Sequence, residues 1–216
     1  MYKGVRIPLR DRMITGQVRS TIVAKQYEIG DVRAMLALLE ADDVLLEVGA
    51  GIGFISCLAA RRLGDQRVFA YEANPAMLGT IERLHRTNGV SPSVIIGAVG
   101  AQSGEATLAV GDVFWDSTLV VEPGARGVRV PVHGFTEVVE RCQATFVMLD
   151  CEGSEREIVL EGNDVPSVVR KLCVELHPHI IGEDSLIAIR EALLRQGFRL
   201  RPELSDSDGT FLALVR

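Results

Sequence analysis

This chain has five short apolar runs, several of them apolar almost from end to end: Val44–Val48, Val68–Glu72, Val94–Gly97, Phe146–Asp150 and Cys173–His177. A strand with one face in water alternates polar and apolar residues. A strand covered on both faces has no such alternation, and that is the pattern of parallel strands sandwiched between helices. The segments between the runs carry helical spacing. Phe54 to Leu63 is mostly apolar until Arg61 and Arg62, and Met77, Leu78, Ile81 and Leu84 mark one face of the next helix. Asn74 caps that helix with Pro75 in its first turn, and Asn88-Gly89 stops it. Strand and helix in alternation predict an α/β domain with a mostly parallel sheet and helices on both faces.

Further local signals complete the frame. A helix capped by Asp31 precedes the first run and buries Met35, Leu36, Leu38 and Leu39. Ser154 and Glu157 have the spacing of a capping box ahead of Ile158 and Leu160. Leu186, Ile189 and Leu193 repeat at helical spacing before Gly197. The end of the chain pairs Phe198–Leu200 with Thr210–Val215 through Asp206, Asp208 and Gly209, a C-terminal antiparallel hairpin. Residues 1–30 lack a clear period and are read as an N-terminal extension that covers the site or makes a homodimer contact. Residues 31–216 form one domain, with a β-rich insertion around 105–132 that turns at Pro123-Gly124.

Composition narrows the function classes. The 216 residues are 47% hydrophobic and 24% charged, which suits a folded globular chain, and no apolar run approaches the roughly 20 residues of a membrane span. No hydrophobic segment stands behind the basic residues between Met1 and Arg12, so no secretory signal and no membrane association are expected. The net charge of -6, with no basic-aromatic stripe, points away from nucleic acid. Cys57, Cys142, Cys151 and Cys173 form no CxxC pair and are read as reduced structural thiols in a cytoplasmic protein.

The chemistry concentrates first in Leu45-Leu46-Glu47-Val48-Gly49-Ala50-Gly51-Ile52-Gly53-Phe54, which joins a buried strand to a helix. Small residues allow a tight bend and close approach of a ligand to the free amides of the helix start. The segment lacks the Lys-Ser/Thr ending of a nucleotide phosphate loop. Glu72 follows Gly49 by 23 residues, at the end of the next strand, where a carboxylate accepts hydrogen bonds from the hydroxyls of an adenosine ribose. An NAD-linked oxidoreductase uses the same geometry. It also needs hydride-transfer groups such as a Tyr-Lys pair, and none is evident among Lys3, Lys25 and Lys171.

Glu47-Val48-Gly49-Ala50-Gly51-Ile52-Gly53 and Tyr71-Glu72-Ala73-Asn74-Pro75 resemble the first two signatures of class I S-adenosylmethionine-dependent methyltransferases. Gly97-Ala98-Val99-Gly100, Leu149-Asp150-Cys151-Glu152-Gly153-Ser154-Glu155 and Val174-Glu175-Leu176-His177-Pro178 are similar to the FkbM-type family within that class. The resemblance implies a Rossmann-like, seven-stranded sheet ending in an antiparallel hairpin, S-adenosyl-L-methionine as cofactor, and O-methylation of a small metabolite or saccharide. It places Glu47, Gly49, Ala50, Gly51 and Gly53 near the methionine part, Glu72 and Ala73 at the ribose, and Ala98 and Val99 beside the adenine. Members often carry Asp at position 47 and Asn at position 51, where this chain has Glu and Gly. A non-catalytic cofactor-binding or scaffold protein with the same fold is the other alternative.

At the acceptor side, Asp150 and Glu152 follow one strand and Glu175 and His177 end another, so all four converge on the mouth of a parallel sheet. Methyl transfer to a hydroxyl needs a group that orients the acceptor and takes its proton. Asp150, Glu152 and His177 are the catalytic candidates; Trp115 and Glu175 are the candidates for acceptor binding. No metal is expected, because nothing in the sequence brings these donors within bonding distance. His133 and His85 carry no role, the latter being assigned to the exposed side of its helix.

Overall fold

The computed structural model describes residues 1–109, 127–216 and the backbone of 118–120. The elements run α1 (Gly16–Val23), α2 (Ile29–Leu38), β1 (Leu45–Val48), α3 (Phe54–Leu63), β2 (Val68–Glu72), α4 (Leu78–Thr87), β3 (Ser93–Ile96), β4 (Ala98–Gly100), β5 (Gly104–Ala109), β6 (Thr118–Val120) and β7 (Val128–Gly134). Then follow α5 (Phe135–Cys142), β8 (Phe146–Leu149), β9 (Lys171–Glu175), α6 (Pro178–Ile181), α7 (Glu183–Arg195), β10 (Arg199–Leu200) and β11 (Phe211–Val215).

A seven-stranded sheet has the order β10-β11-β9-β8-β1-β2-β3. The five strands from β9 to β3 are mutually parallel, and β11 lies antiparallel to both β9 and β10. The fold is therefore Rossmann-like with a terminal antiparallel hairpin. Its central strands read as unbroken apolar runs because each feeds two cores. Leu45, Phe146, Met148 and Ala213 pack with α2 to α4, while Leu46, Val147, Leu149 and Leu214 pack with α5 and α7. Successive strand residues point to opposite faces, so both halves of each run are buried. A smaller sheet, β4-β7-β5-β6, occupies the region of the expected insertion. Pro123-Gly124 lies outside the described residues.

Several local expectations change. Asp31 does not cap α2; Glu28 occupies that position with φ 47°, and Asp31 sits inside the first turn, where a carboxylate faces the positive end of the helix. Ser154 and Glu157 form no capping box, since the segment Glu157–Glu161 is a π-helical turn without a side-chain cap. His85 is buried against Ser56 Oγ at 3.2 Å and the Gly53 carbonyl at 3.1 Å, not exposed. Asn74 does cap its turn, its side chain accepting from the Ala76 amide at 3.0 Å. All four cysteines are free thiols. No helix among the described residues is long and apolar enough to cross a membrane.

The first 30 residues are tied to the domain. Tyr2 stacks on Phe54 with ring centroids 5.0 Å apart, and Tyr27 meets the same ring edge-on at 6.0 Å. Asp11 accepts from Thr80 Oγ1 at 2.9 Å and pairs with Arg83 at the same distance. These anchors deliver residues 26–31 to the C-terminal edge of the sheet.

Candidate active site

The strand order reverses at β1, whose neighbours β2 and β8 connect to opposite halves of the sheet. A crevice opens at such a switch point beyond the strand ends. Here it is a cleft of about 430 Å³ lined from several sides by residues 26–31, the end of β1, the β2 and β8 turns, and Glu175, Asp206 and Phe211.

The glycine bend forms its floor. The amides of Gly49 and Ala50 both donate to the Tyr71 carbonyl at 2.9 Å, pinning the bend to β2. Gly49 has φ 91°, and a Cβ there would lie 1.6 Å from the Asp150 carbonyl oxygen. No side chain fits, so the bend packs directly on the backbone that follows β8. The Gly51 amide donates to Glu72 Oε2 at 2.8 Å, and the Asn74 amide donates to Glu72 Oε1 at 2.8 Å. Each oxygen keeps a second lone pair. Burial raises the Glu72 carboxyl to about 7 against the opposing effect of the two amides.

Gly49, Gly51, Glu72, Ala73, Ala98 and Val99 line the cleft. Glu47, Ala50 and Gly53 stand behind it, and their contribution is to the shape of the bend. Glu47 is 4% exposed and points under α3, where its Oε2 accepts from the Ser56 amide at 3.1 Å. Burial lifts its carboxyl to about 8. It faces away because it shares the strand face of Leu45, which the period of two turns toward α3. Ala50 is 1% exposed. A Cβ on Gly53 would meet Ile81 Cγ2 at 2.8 Å and His85 Nε2 at 2.9 Å, so this glycine serves the packing of α3 on α4.

At the other end of the cleft, Asp150, Glu152 and His177 come together. His177 is 8% exposed. Its Nδ1 lies 3.2 Å from Glu155 Oε1, and its Nε2 lies 3.5 Å from Asp150 Oδ1 and 3.4 Å from Glu152 Oε2. Glu155 is wholly buried and also accepts from the amides of Cys151 and Gly153, each at 2.9 Å, so one carboxylate fixes both the turn and the imidazole. The Asp-x-Glu-Gly-x-Glu motif contained Glu155, yet spacing alone could not tell its buried role from a surface one.

Burial pulls the His177 imidazole down, but Glu155, Glu152 and Glu175 outweigh it and the net shift is upward. Burial and the neighbouring carboxylates Glu175, Asp31 and Glu152 push the Asp150 carboxyl well up. Glu175 is also raised, mainly by burial. Asp31, 8% exposed and raised to about 7, and Glu28 and Asp206 add acids that the sequence reading did not select. No lysine or arginine lines the cleft among the described residues. His179 belongs to the short helix α6, its ring edge-on to His177 at 5.9 Å. Trp115 lies outside the described residues.

This sheet order, with a glycine bend across its switch point and a buried strand-end acid beside it, defines a class I S-adenosylmethionine-dependent methyltransferase. The sequence profile described as "Methyltransferase FkbM domain" matches residues 47–200, and the chain belongs to that family. It is 27% identical over 169 residues to the hexuronic acid methyltransferase AglP of Haloferax volcanii, covering 76% of this chain and 68% of that protein. Its fold is similar to a precorrin-6y methyltransferase from Geobacter metallireducens, with TM-score 0.50, 17% identity and coverage of 93% of this chain and 85% of that one. A methyltransferase from Pyrococcus furiosus gives TM-score 0.50 at 13% identity, covering 99% of this chain and 88% of that one. The protein is thus a methyltransferase with S-adenosylmethionine as its methyl donor, in place of the oxidoreductase alternative.

The cleft fits that donor. Glu72 offers two oriented lone pairs for a sugar diol, and Ala98, Val99 and Leu108 form an apolar wall for a purine. The volume lies within the usual range for a small-molecule site.

Proposed function

We propose that this methyltransferase transfers its methyl group to a hydroxyl of a saccharide or another small polyhydroxylated metabolite. One observation carries the reading: Asp150, Glu152 and Glu175 line the same cleft as the glycine bend, beside the pinned imidazole of His177. Carboxylates in this arrangement accept hydrogen bonds from neighbouring hydroxyls and leave one of them oriented for attack. The Haloferax relative named for hexuronic acid supports a sugar acceptor.

Bound S-adenosylmethionine supplies an electrophilic methyl group on a sulfonium. Glu72, its carboxylate fixed by the Gly51 amide, would hold the nucleoside end, and the Gly49 bend would face the sulfonium end. Asp150 orients the acceptor hydroxyl toward it. Glu175, which lines the cleft and whose carboxyl is raised by burial, takes the hydroxyl proton as the new bond forms. The negative lining also favours the cationic donor over the neutral thioether left after transfer.

The test is incubation with an isotope-labelled methyl donor and a panel of neutral sugars, uronic acids and amino sugars. The product is then identified by mass and by stability to alkali. An alkali-stable methyl ether supports the proposal. Label released by alkali as an ester, or label found only on nitrogen, refutes it.

A further inference from the structure

We propose that Asp150, Glu152 and His177 form a site for one hard divalent cation at the acceptor end of the cleft. One ligand atom from each lies within 4.8 Å of the other two. The imidazole Nε2 stands 3.5 Å and 3.4 Å from the two carboxylate oxygens. Two donors bound at about 2.1 Å to one ion are separated by about 3.0 Å at a right angle and about 3.4 Å at a tetrahedral angle. Both imidazole–carboxylate separations thus already suit a single ion.

Two further observations point into the trio. His177 is more than nine-tenths buried, and its Nδ1 faces the buried Glu155 carboxylate, which can only accept, so that Nε2 is the nitrogen turned to Asp150 and Glu152. A carboxylate behind a histidine in this way is the usual support of a metal-binding imidazole. Asp150 Oδ1 is itself buried and has no hydrogen-bond partner among the described residues. A buried carboxylate oxygen facing a second acid needs a proton or a cation, and no lysine or arginine lines the cleft among the described residues.

A second acidic group gives the contrast. Glu40, Asp42 and Asp43 also lie within 4.8 Å of one another, but Lys171 Nζ sits 2.6 Å from Glu40 and 2.7 Å from Asp43. Arg170 reaches Asp42 at 3.0 Å and Asp43 at 3.1 Å. Fixed side-chain cations already neutralise that cluster, which ties the start of β9 to the loop before β1.

The donor set of two carboxylates and one imidazole leaves coordination positions open toward the cleft and suits Mn²⁺ or Mg²⁺. This inference rests on the hydroxyl-methylation reading for its role. The ion holds two adjacent acceptor oxygens and lowers the proton affinity of one. That oxygen forms the new bond to the methyl carbon as the carbon–sulfur bond breaks, the sulfur keeps the electron pair, and the proton passes to Glu175. The acceptor class becomes a vicinal diol or a hydroxy acid. The cation also allows an anionic sugar into a cleft otherwise lined by acids.

The experiment is a titration of the full chain with Mn²⁺ alone, following loss of the free-ion electron paramagnetic resonance signal. One ion per chain is expected, with Glu152→Gln and His177→Gln each weakening it at least about tenfold and Asp42→Asn leaving it unchanged. S-adenosylhomocysteine binding, measured on the same samples, shows that each variant is folded and reports on the cofactor site separately. If a Gln variant fails to bind it, the other decides. No Mn²⁺ binding up to about 10 mM, or equal affinity in wild type and both Gln variants, overturns the site whatever the acceptor proves to be.

Discussion

Replacing Glu72 by alanine removes the group on which cofactor recognition is proposed to depend. Two consequences follow from its contacts. Its oxygens accept from the Gly51 and Asn74 amides at 2.8 Å, so the variant leaves two backbone donors without their acceptor. Each such loss costs about 1–3 kcal/mol when the donor stays dry. Water from the cleft reaches part of that space, so the fold should lose about 2 kcal/mol in denaturant unfolding. The second consequence is to binding. Two ribose hydroxyls donating to a charged acceptor contribute about 1.5–3 kcal/mol each, and the lower figure for both corresponds to on the order of 100-fold in affinity. Isothermal titration with S-adenosylhomocysteine measures it, and Glu72→Gln, which keeps one acceptor oxygen, should fall between. An adenosine analogue lacking both ribose hydroxyls closes the cycle, because its affinity should be nearly equal in wild type and variant. A Glu72→Ala protein that binds S-adenosylhomocysteine within about threefold of wild type would sink the assignment. So would an equal penalty for the analogue, since the effect would then come from a distorted bend.

The remaining predictions concern the bend, the buried acids and the acceptor end. Gly49→Ala should destabilise by about 3 kcal/mol or more, because a left-handed backbone and a Cβ 1.6 Å from the Asp150 carbonyl must both be relieved; unchanged thermal unfolding would contradict the packing. Burial raises Glu47 from 4.5 to about 8, so the native state holds its proton more tightly than the unfolded chain does. Its contribution to stability is then complete below about 4.5 and is lost as pH rises through about 8. The unfolding temperature should fall over that window, Glu72 and Asp31 adding in the same direction, and Glu47→Gln should flatten the profile. Glu175→Gln should lower turnover by about 100-fold with S-adenosylhomocysteine affinity nearly unchanged, and a normal single-turnover rate would remove it as proton acceptor. Asp150→Asn should likewise reduce turnover far more than cofactor affinity, checked by the same pair of measurements.

Much of the frame was legible because burial on both faces leaves a direct mark on composition. The apolar runs at Leu45–Val48 and Phe146–Leu149 became the two central strands, within a residue of their expected limits. Phe54–Leu63 became α3 with the same bounds, since its start is set by the glycine before it and its end by Gly64. Local chemistry was less certain wherever a side chain had two uses. Asp31 has the residue type of a cap but sits a turn further in, because the left-handed Glu28 starts the helix earlier. His85 looked exposed by helical phase, yet the close approach of α3 through Gly53 buries it.

The sequence by itself determined the layer architecture, the glycine bend and the acid at the end of β2, since these depend on period, turn chemistry and short-range order. It also indicated which residues end the strands. Tertiary structure alone decided what those residues meet. Glu47 lies two residues from Gly49 and turns its carboxylate beneath α3. Asp150 and His177, 27 residues apart, stand 3.5 Å from each other across adjacent strand ends. Glu28 and Asp31 reach the cleft only because Tyr2, Asp11 and Tyr27 anchor the N-terminal segment against α3 and α4. Side-chain direction and long-range approach follow from the packed sheet, and no local pattern carries that information.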